Sequence, residues 1–293
     1  MDCSDAGSGR ADSDGGSPPE ELWELFQEPP SKLSGLQWVE VAAAGEKLRL
    51  LAQPPDRQLG GVDSQSDYTG TVVWPGGTAA AEYLHHCLQA TTTKARGATG
   101  EPPAVLELGA GTGLPGLVAA KAHGAAAVVT DGNVQVVEML RETLAANGLG
   151  DRMSAEVCRW GHPGDAAHLL RAHPGMFDII VAGDVMYGNW QTVLGLLLET
   201  VSRLLSERSG AKFILAAAFK RMGVASSTQA LSHIARVASA VQMDVQPIDL
   251  DTELVTDVTV APGAGCRRWI AEFLAVQGHM LVFTRTPNAH AGQ

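Results

Sequence analysis

Residues 105–133 read VLELGAGTGLPGLVAAKAHGAAAVVTDGN. This stretch predicts a strand over 104–108, a glycine-rich turn, a helix over 114–123 and a second strand over 126–130. Pro115 suits the helix's first turn, where its missing N–H costs little. Strand, helix and strand in that order imply parallel strands in one sheet, with the helix on its face. Ligands of such sheets bind beyond the carboxyl ends of the strands, where the strand order reverses. Gly109, Gly111 and Gly113 tolerate positive φ and let backbone approach a ligand closely, while the helix behind them offers free N–H groups.

The glycine spacing then bears on which ligand. A dinucleotide loop reads GxGxxG; here it is GxGxG, with Glu107 at the end of the preceding strand. A carboxylate there would repel a pyrophosphate and attract a cationic ligand. Asp131 ends the second strand about twenty residues beyond the glycines, where an acid can accept both hydroxyl protons of a ribose. Asn133 is the better helix cap, which would leave Asp131 for the ribose. A turn that merely packs strand against helix, and an Asp131 that merely caps, remain alternatives.

Outward from this core, strands and helices keep alternating. A helix is expected near 78–90, a polar loop at 91–103 and a helix at 133–149. Strands follow at 153–160 and 177–183, a helix at 189–207, a strand at 212–219 and a helix at 226–241. The chain then runs through DVQPIDL (244–250), a helix around 266–277 and GHMLVFTRT (278–286). The fold class is α/β, a Rossmann-like, doubly wound, mainly parallel seven-stranded sheet over 71–286. Before it, residues 1–20 have a disordered composition, and residues 21–70 form a short β-rich N-terminal appendage. That appendage contains ELWELF (21–26), a candidate docking helix, and turn signals at Pro54-Pro55 and Gly60-Gly61. Residues 287–293 read as a frayed C-terminal tail.

Composition narrows the partners. A formal net charge of -11 over 293 residues leaves no basic footprint for a nucleic-acid backbone and would suit a basic protein segment. Cys3, Cys87, Cys158 and Cys266 are scattered without a CxxC pair, which points to reduced thiols rather than disulfides or a metal site. No stretch is long and apolar enough to span a membrane. The acidic, polar start fits neither a signal nor a transit peptide, so a cytoplasmic protein is expected, with the nucleus left open.

Five pieces in order resemble class I, seven-strand AdoMet-dependent methyltransferases. More narrowly they resemble methyltransferase family 16, lysine methyltransferases that modify non-histone proteins. The pieces are VVWPGG (72–77), VLELGAGTGLPGL (105–117), VTDGN (129–133), VCRW (157–160) and IIVAGDVMY (179–187), the last ending in the family's DxxY tetrad. The resemblance implies S-adenosyl-L-methionine as cofactor and a protein lysine as acceptor. It implies that Trp74, Gly109, Ala110, Gly111, Asp131, Trp160 and Ala182 contact the cofactor, with Gly132 beside Asp131 in the matched piece. It places Asp184 and Tyr187 between cofactor and substrate.

The residue types fit that chemistry. A tryptophan directly after a strand can lie against adenine, and Ala182 leaves room beside the fourth strand. Asp184 and Tyr187 suit an aliphatic ammonium, the first by charge and the second by cation–π contact. Methyl transfer requires alignment and exclusion of water but neither a metal nor a covalent nucleophile, so His85-His86 and Ser226-Ser227 are given no role. A nicotinamide oxidoreductase, a cofactor-binding module without turnover, and a methyltransferase for a small molecule or another protein side chain stay open as alternatives.

Overall fold

The computed structural model describes residues 33, 35–54, 69–95, 103–250 and 264–287. The expected tail at 1–20, ELWELF, Gly60-Gly61 and residues beyond 287 lie outside these. The glycine turn sits in a seven-stranded sheet of order β5-β4-β3-β6-β7-β9-β8. The strands are β3 (Val105–Leu108), β4 (Ala127–Asp131), β5 (Met153–Val157), β6 (Ile179–Gly183), β7 (Lys212–Ala218), β8 (Met243–Ile248) and β9 (Gly278–Arg285). β3 to β7 pair in parallel, whereas β9 runs antiparallel between β7 and β8. The order reverses at β3, which has β4 on one side and β6 on the other.

Helices cover both faces. One core joins α1 (Pro75–Ala95), α2 (Leu114–His123) and α3 (Val134–Ala146) to one side of the sheet. The other joins α4 (Pro163–Ala172), α5 (Trp190–Leu204) and α6 (Ser227–Ala240) to the opposite side. α7 (Ala264–Ala275) packs on α1 and β9. The pleat of β3 shows why: Val105 joins the first core, while Leu106 and Leu108 join the second. Among the described residues, no helix is long and apolar enough to cross a membrane.

The N-terminal appendage is a hairpin of β1 (Gln37–Ala43) and β2 (Glu46–Ala52). Its two-residue turn is Ala44-Gly45, with φ of 53° and 77°, the primed geometry that matches strand twist. The anticipated turn signals lie beyond it, at Pro54 and later. The hairpin is no separate unit, because Leu48 and Leu50 are fully buried in the first core. Its backbone is also fastened to α3: Asn147 Oδ1 accepts the Arg49 N–H at 3.1 Å, and Asn147 Nδ2 donates to Arg49 O at 2.7 Å.

Two helices differ from expectation. α1 begins at Pro75, three residues before the apolar period, because a partner elsewhere in the fold receives its Gly76 N–H. α4 was not anticipated. His162 Nδ1 accepts the Asp165 N–H at 3.2 Å, Pro163 sits in the first turn, and Arg159 clamps Asp165 at 2.8 and 2.9 Å. Asn133 caps α3 as expected, its Oδ1 accepting the Gln135 N–H at 2.8 Å. Asn133→Ala is expected to cost about 1 kcal/mol, read as a small drop in the thermal unfolding midpoint.

Candidate functional site

The loop after β3 lies at the reversal of strand order. Gly109 and Gly111 hold φ of 63° and 51°, backbone that favours glycine. Ala110 N–H donates to Thr130 O at 2.8 Å, and Gly111 N–H to Asp131 Oδ2 at 3.1 Å, so the loop is strapped to the end of β4. The 3-10 turn Thr69–Thr71 covers it: a Cβ on Gly111 would stand 2.9 Å from Gly70 O. Gly113, the N-cap of α2, instead faces α3, where a Cβ would meet Leu140 Cδ2 at 2.7 Å. Its contact is with a neighbouring helix, whereas Gly109 and Gly111 shape the loop itself.

Asp131 is engaged rather than left over. Besides Gly111, it accepts the Asn133 N–H on Oδ1 at 3.0 Å. Both oxygens therefore hold backbone that defines the site, and Gly132 lies half-buried between them and α3.

Glu107 departs from expectation. Its side chain turns away from solvent beneath α2, 2% exposed, and Oε2 accepts the Gly116 N–H at 2.8 Å. Burial pushes its pKa up to about 8; the Gly116 N–H opposes that shift, and the nearby Asp131 charge adds to it. An acid held largely neutral cannot attract a cation by charge. Glu107 instead ties the first turn of α2 to β3, in a spot tight enough that a Cβ on Gly116 would come 3.0 Å from Oε2.

This makes a pH prediction. The folded state keeps the Glu107 proton up to about 8, whereas the unfolded chain releases it in the ordinary carboxylate range. Its contribution to stability is therefore whole below that range and lost as pH rises toward 8. Glu107→Gln, which cannot ionise, should gain in thermal midpoint relative to the parent chain between about pH 5 and about pH 8. A gap between the two that stays constant with pH would contradict the buried acid.

Trp160 follows β5 with its ring edge on the glycine loop: a Cβ on Gly109 would meet it at 2.9 Å and Val185 Cγ1 at 2.8 Å. Its Nε1 is buried without a hydrogen-bond partner. The ring, the loop and the start of the segment after β6 thus converge. Ala182 does not join them at a cavity wall. It is fully buried among Leu106, Leu108 and Leu215 in the second core, paired in register with Leu215.

Asp184 directly follows β6 with a left-handed φ of 56° and a side chain 2% exposed. Its Oδ2 accepts the Gly76 N–H at 2.7 Å and pairs with Arg221 Nη1 at 3.0 Å, while Oδ1 is buried without a partner. Burial raises its pKa, against the pull of Arg221 and of the Gly76 and Ala218 backbone. The glycines of VVWPGG allow this approach: a Cβ on Gly76 would stand 2.5 Å from Asp184 Cγ, and one on Gly183 would stand 2.6 Å from Gly77 Cα. Trp74 belongs to the same cluster. Its Nε1 donates to Thr69 O at 2.8 Å, and the Arg221 guanidinium lies 4.4 Å over its ring.

Tyr187, three residues on, is 56% exposed at the surface, in contrast to the buried Asp184. Arg221 escaped the sequence reading. It belongs to no motif and reaches the site only because β7 lies beside β6.

Comparison with known proteins bears on this arrangement. The profile of a family described as "Lysine methyltransferase" matches residues 55–236. A protein-lysine N-methyltransferase EFM3 of Chaetomium thermophilum is 32% identical over 117 residues, which are 39% of this chain and 34% of that protein. The calmodulin-lysine N-methyltransferase of Arabidopsis thaliana is 35% identical over 126 residues, 41% of this chain and 37% of its own. The protein N-lysine methyltransferase METTL21A of Mus musculus is 31% identical over 156 residues, 52% of this chain and 60% of its own. The chain thus spans about a third to three fifths of the length of these relatives.

Proposed function

The chain belongs to the lysine methyltransferase family, and from that premise we propose that it transfers a methyl group from S-adenosyl-L-methionine to the ε-amine of a lysine in a non-histone protein. The observation that carries the reading is the convergence of the Gly109–Gly111 loop, Asp131 and Trp160 at the strand-order reversal. The residues fit the cofactor. Two glycines at positive φ shape the loop with backbone bare of side chains, Trp160 Nε1 is an orphaned buried donor, and residues 109–113 carry no cation for a phosphate.

In this reading the backbone of Gly109, Ala110 and Gly111 borders the cofactor, Asp131 accepts its ribose hydroxyls and Gly132 gives them access. Trp160 lies against the base, and Glu107 acts indirectly by fixing the loop to α2. AdoMet supplies, when bound, an electrophilic methyl group. The chain's own task is to present a neutral amine in line and to exclude water. Asp184 orients that amine and takes up its proton, and the exposed Tyr187 meets the acceptor chain at the surface. The acidic surface favours a basic segment around the target lysine, and we place the reaction in the cytoplasm.

The test titrates AdoMet and NAD into the full chain, then incubates it with cell lysate and methyl-labelled AdoMet. Expected are AdoMet binding without NAD binding, and label on lysine located by mass spectrometry. NAD binding, or label confined to small molecules or nucleic acid, would refute the proposal. Binding without any transfer would mark a cofactor-holding module and refute the proposal.

A further inference from the structure

A carboxylate and an aromatic face together can hold a cation such as the ammonium of an incoming lysine. Both are present here, and both already hold one. Arg221 Nη1 lies 3.0 Å from Asp184 Oδ2, while the same guanidinium covers the Trp74 ring at 4.4 Å. We propose that Arg221 is a resident substitute for the substrate's ammonium, a gate that the target lysine must displace to reach Asp184. The inference rests on the lysine-methylating reading above.

Three features favour a gate over a fixed strut. Arg221 is the member of the pair nearer to solvent: it hangs from the turn after β7 with its side chain 31% exposed, against 2% for Asp184. Asp184 Oδ1 is buried yet has no hydrogen-bond partner. That oxygen has acceptor capacity left for an incoming donor. The rest of the frame needs no arginine to stay in place: Gly76 N–H holds Asp184 at 2.7 Å, Thr69 O holds the Trp74 indole at 2.8 Å, and Asp184 N–H is fastened to Ala216 O at 2.9 Å. When Arg221 swings out, carboxylate and ring remain aimed at the same point.

The gate also acts on specificity. A ligand for a site that is closed most of the time binds more weakly by the open fraction, so only acceptors with further contacts to the enzyme gain access. An isolated lysine side chain would bind weakly, and a lysine presented by a docked protein would bind well.

The experiment titrates butylammonium, the end of a lysine side chain, into the full chain carrying nitrogen-15 arginine. The Arg221 guanidinium resonance is assigned by its loss in Arg221→Lys. It should move saturably toward the free-guanidinium position as butylammonium binds. Arg221→Met should bind the probe about tenfold more tightly than the parent chain, and Arg221→Lys should bind it as the parent does. A guanidinium signal unmoved at saturation, or an Arg221→Met chain that binds no more tightly than the parent, would make Arg221 a strut and overturn the gate. If Arg221→Met folds poorly, the resonance shift in the parent chain decides alone. AdoMet titration of the same samples keeps the two questions apart: loss of AdoMet binding in the parent would refute the proposed reaction, whereas the probe reports only on the gate.

Discussion

Gly109→Val abolishes AdoMet binding, with affinity expected to fall at least about 100-fold while the sheet still forms. Two independent effects combine. The backbone at Gly109 has φ of 63°, a region where a β-branched side chain is a genuine outlier. Even a single added carbon would also stand 2.8 Å from Val185 Cγ1 and 2.9 Å from the Trp160 ring. Strain of this kind costs on the order of 1–3 kcal/mol, and a loss of about 2.7 kcal/mol in binding corresponds to the 100-fold figure. Relief requires the loop or Trp160 to move, and both border the proposed cofactor site. Titration calorimetry reads the affinity, and far-ultraviolet circular dichroism checks the fold. Retained AdoMet affinity in a folded Gly109→Val chain would place the cofactor elsewhere.

Asp184→Ala is expected to lower methyl transfer by about 1,000-fold, within the usual contribution of a single positioned acid or base, with AdoMet affinity changed only a few-fold. The geometry adds a second readout. Removing the carboxylate strips the Gly76 N–H at the start of α1 of its acceptor, which costs about 1–3 kcal/mol, and leaves Arg221 without its ion partner. The variant should therefore also unfold at a lower temperature. Asp184→Asn separates the two effects, because its amide oxygen can still accept from Gly76 while the negative charge is gone. It should recover most of the stability and little of the transfer. If Asp184→Asn transfers methyl groups normally, the residue's part is to anchor α1, and its charge is irrelevant to the acceptor.

The alternation of apolar runs and helical periods located the five parallel strands of the sheet, because burial on both faces writes continuous hydrophobic segments such as FILAAA and IIVAG. α4 was missed for a local reason. Its ten residues bury only Ala166 and Leu169 deeply, too few for a clear period, and its cap is a histidine rather than the usual Ser, Thr, Asp or Asn. The start of α1 was misplaced for a tertiary reason, since the acceptor for Gly76 N–H lies 108 residues away on Asp184. Among the site residues, the glycine loop and Asp131 were legible because their spacing follows from one βαβ unit. Glu107 was identified, but its role was misread, because a sequence shows an acid and not its burial.

What the sequence determined by itself is the chain's local and periodic content: which segments alternate, where backbone needs glycine, and which motifs follow in order. Those depend on neighbours within a few residues. The tertiary structure alone decided what each charged group experiences. It put Glu107 under α2 and drove it toward its neutral form, turned Asp131 into a strap for the loop, and set Arg221 between Asp184 and Trp74. Burial and long-range pairing govern a carboxylate's charge and partners, and both arise only when strands distant in the chain become neighbours in the sheet.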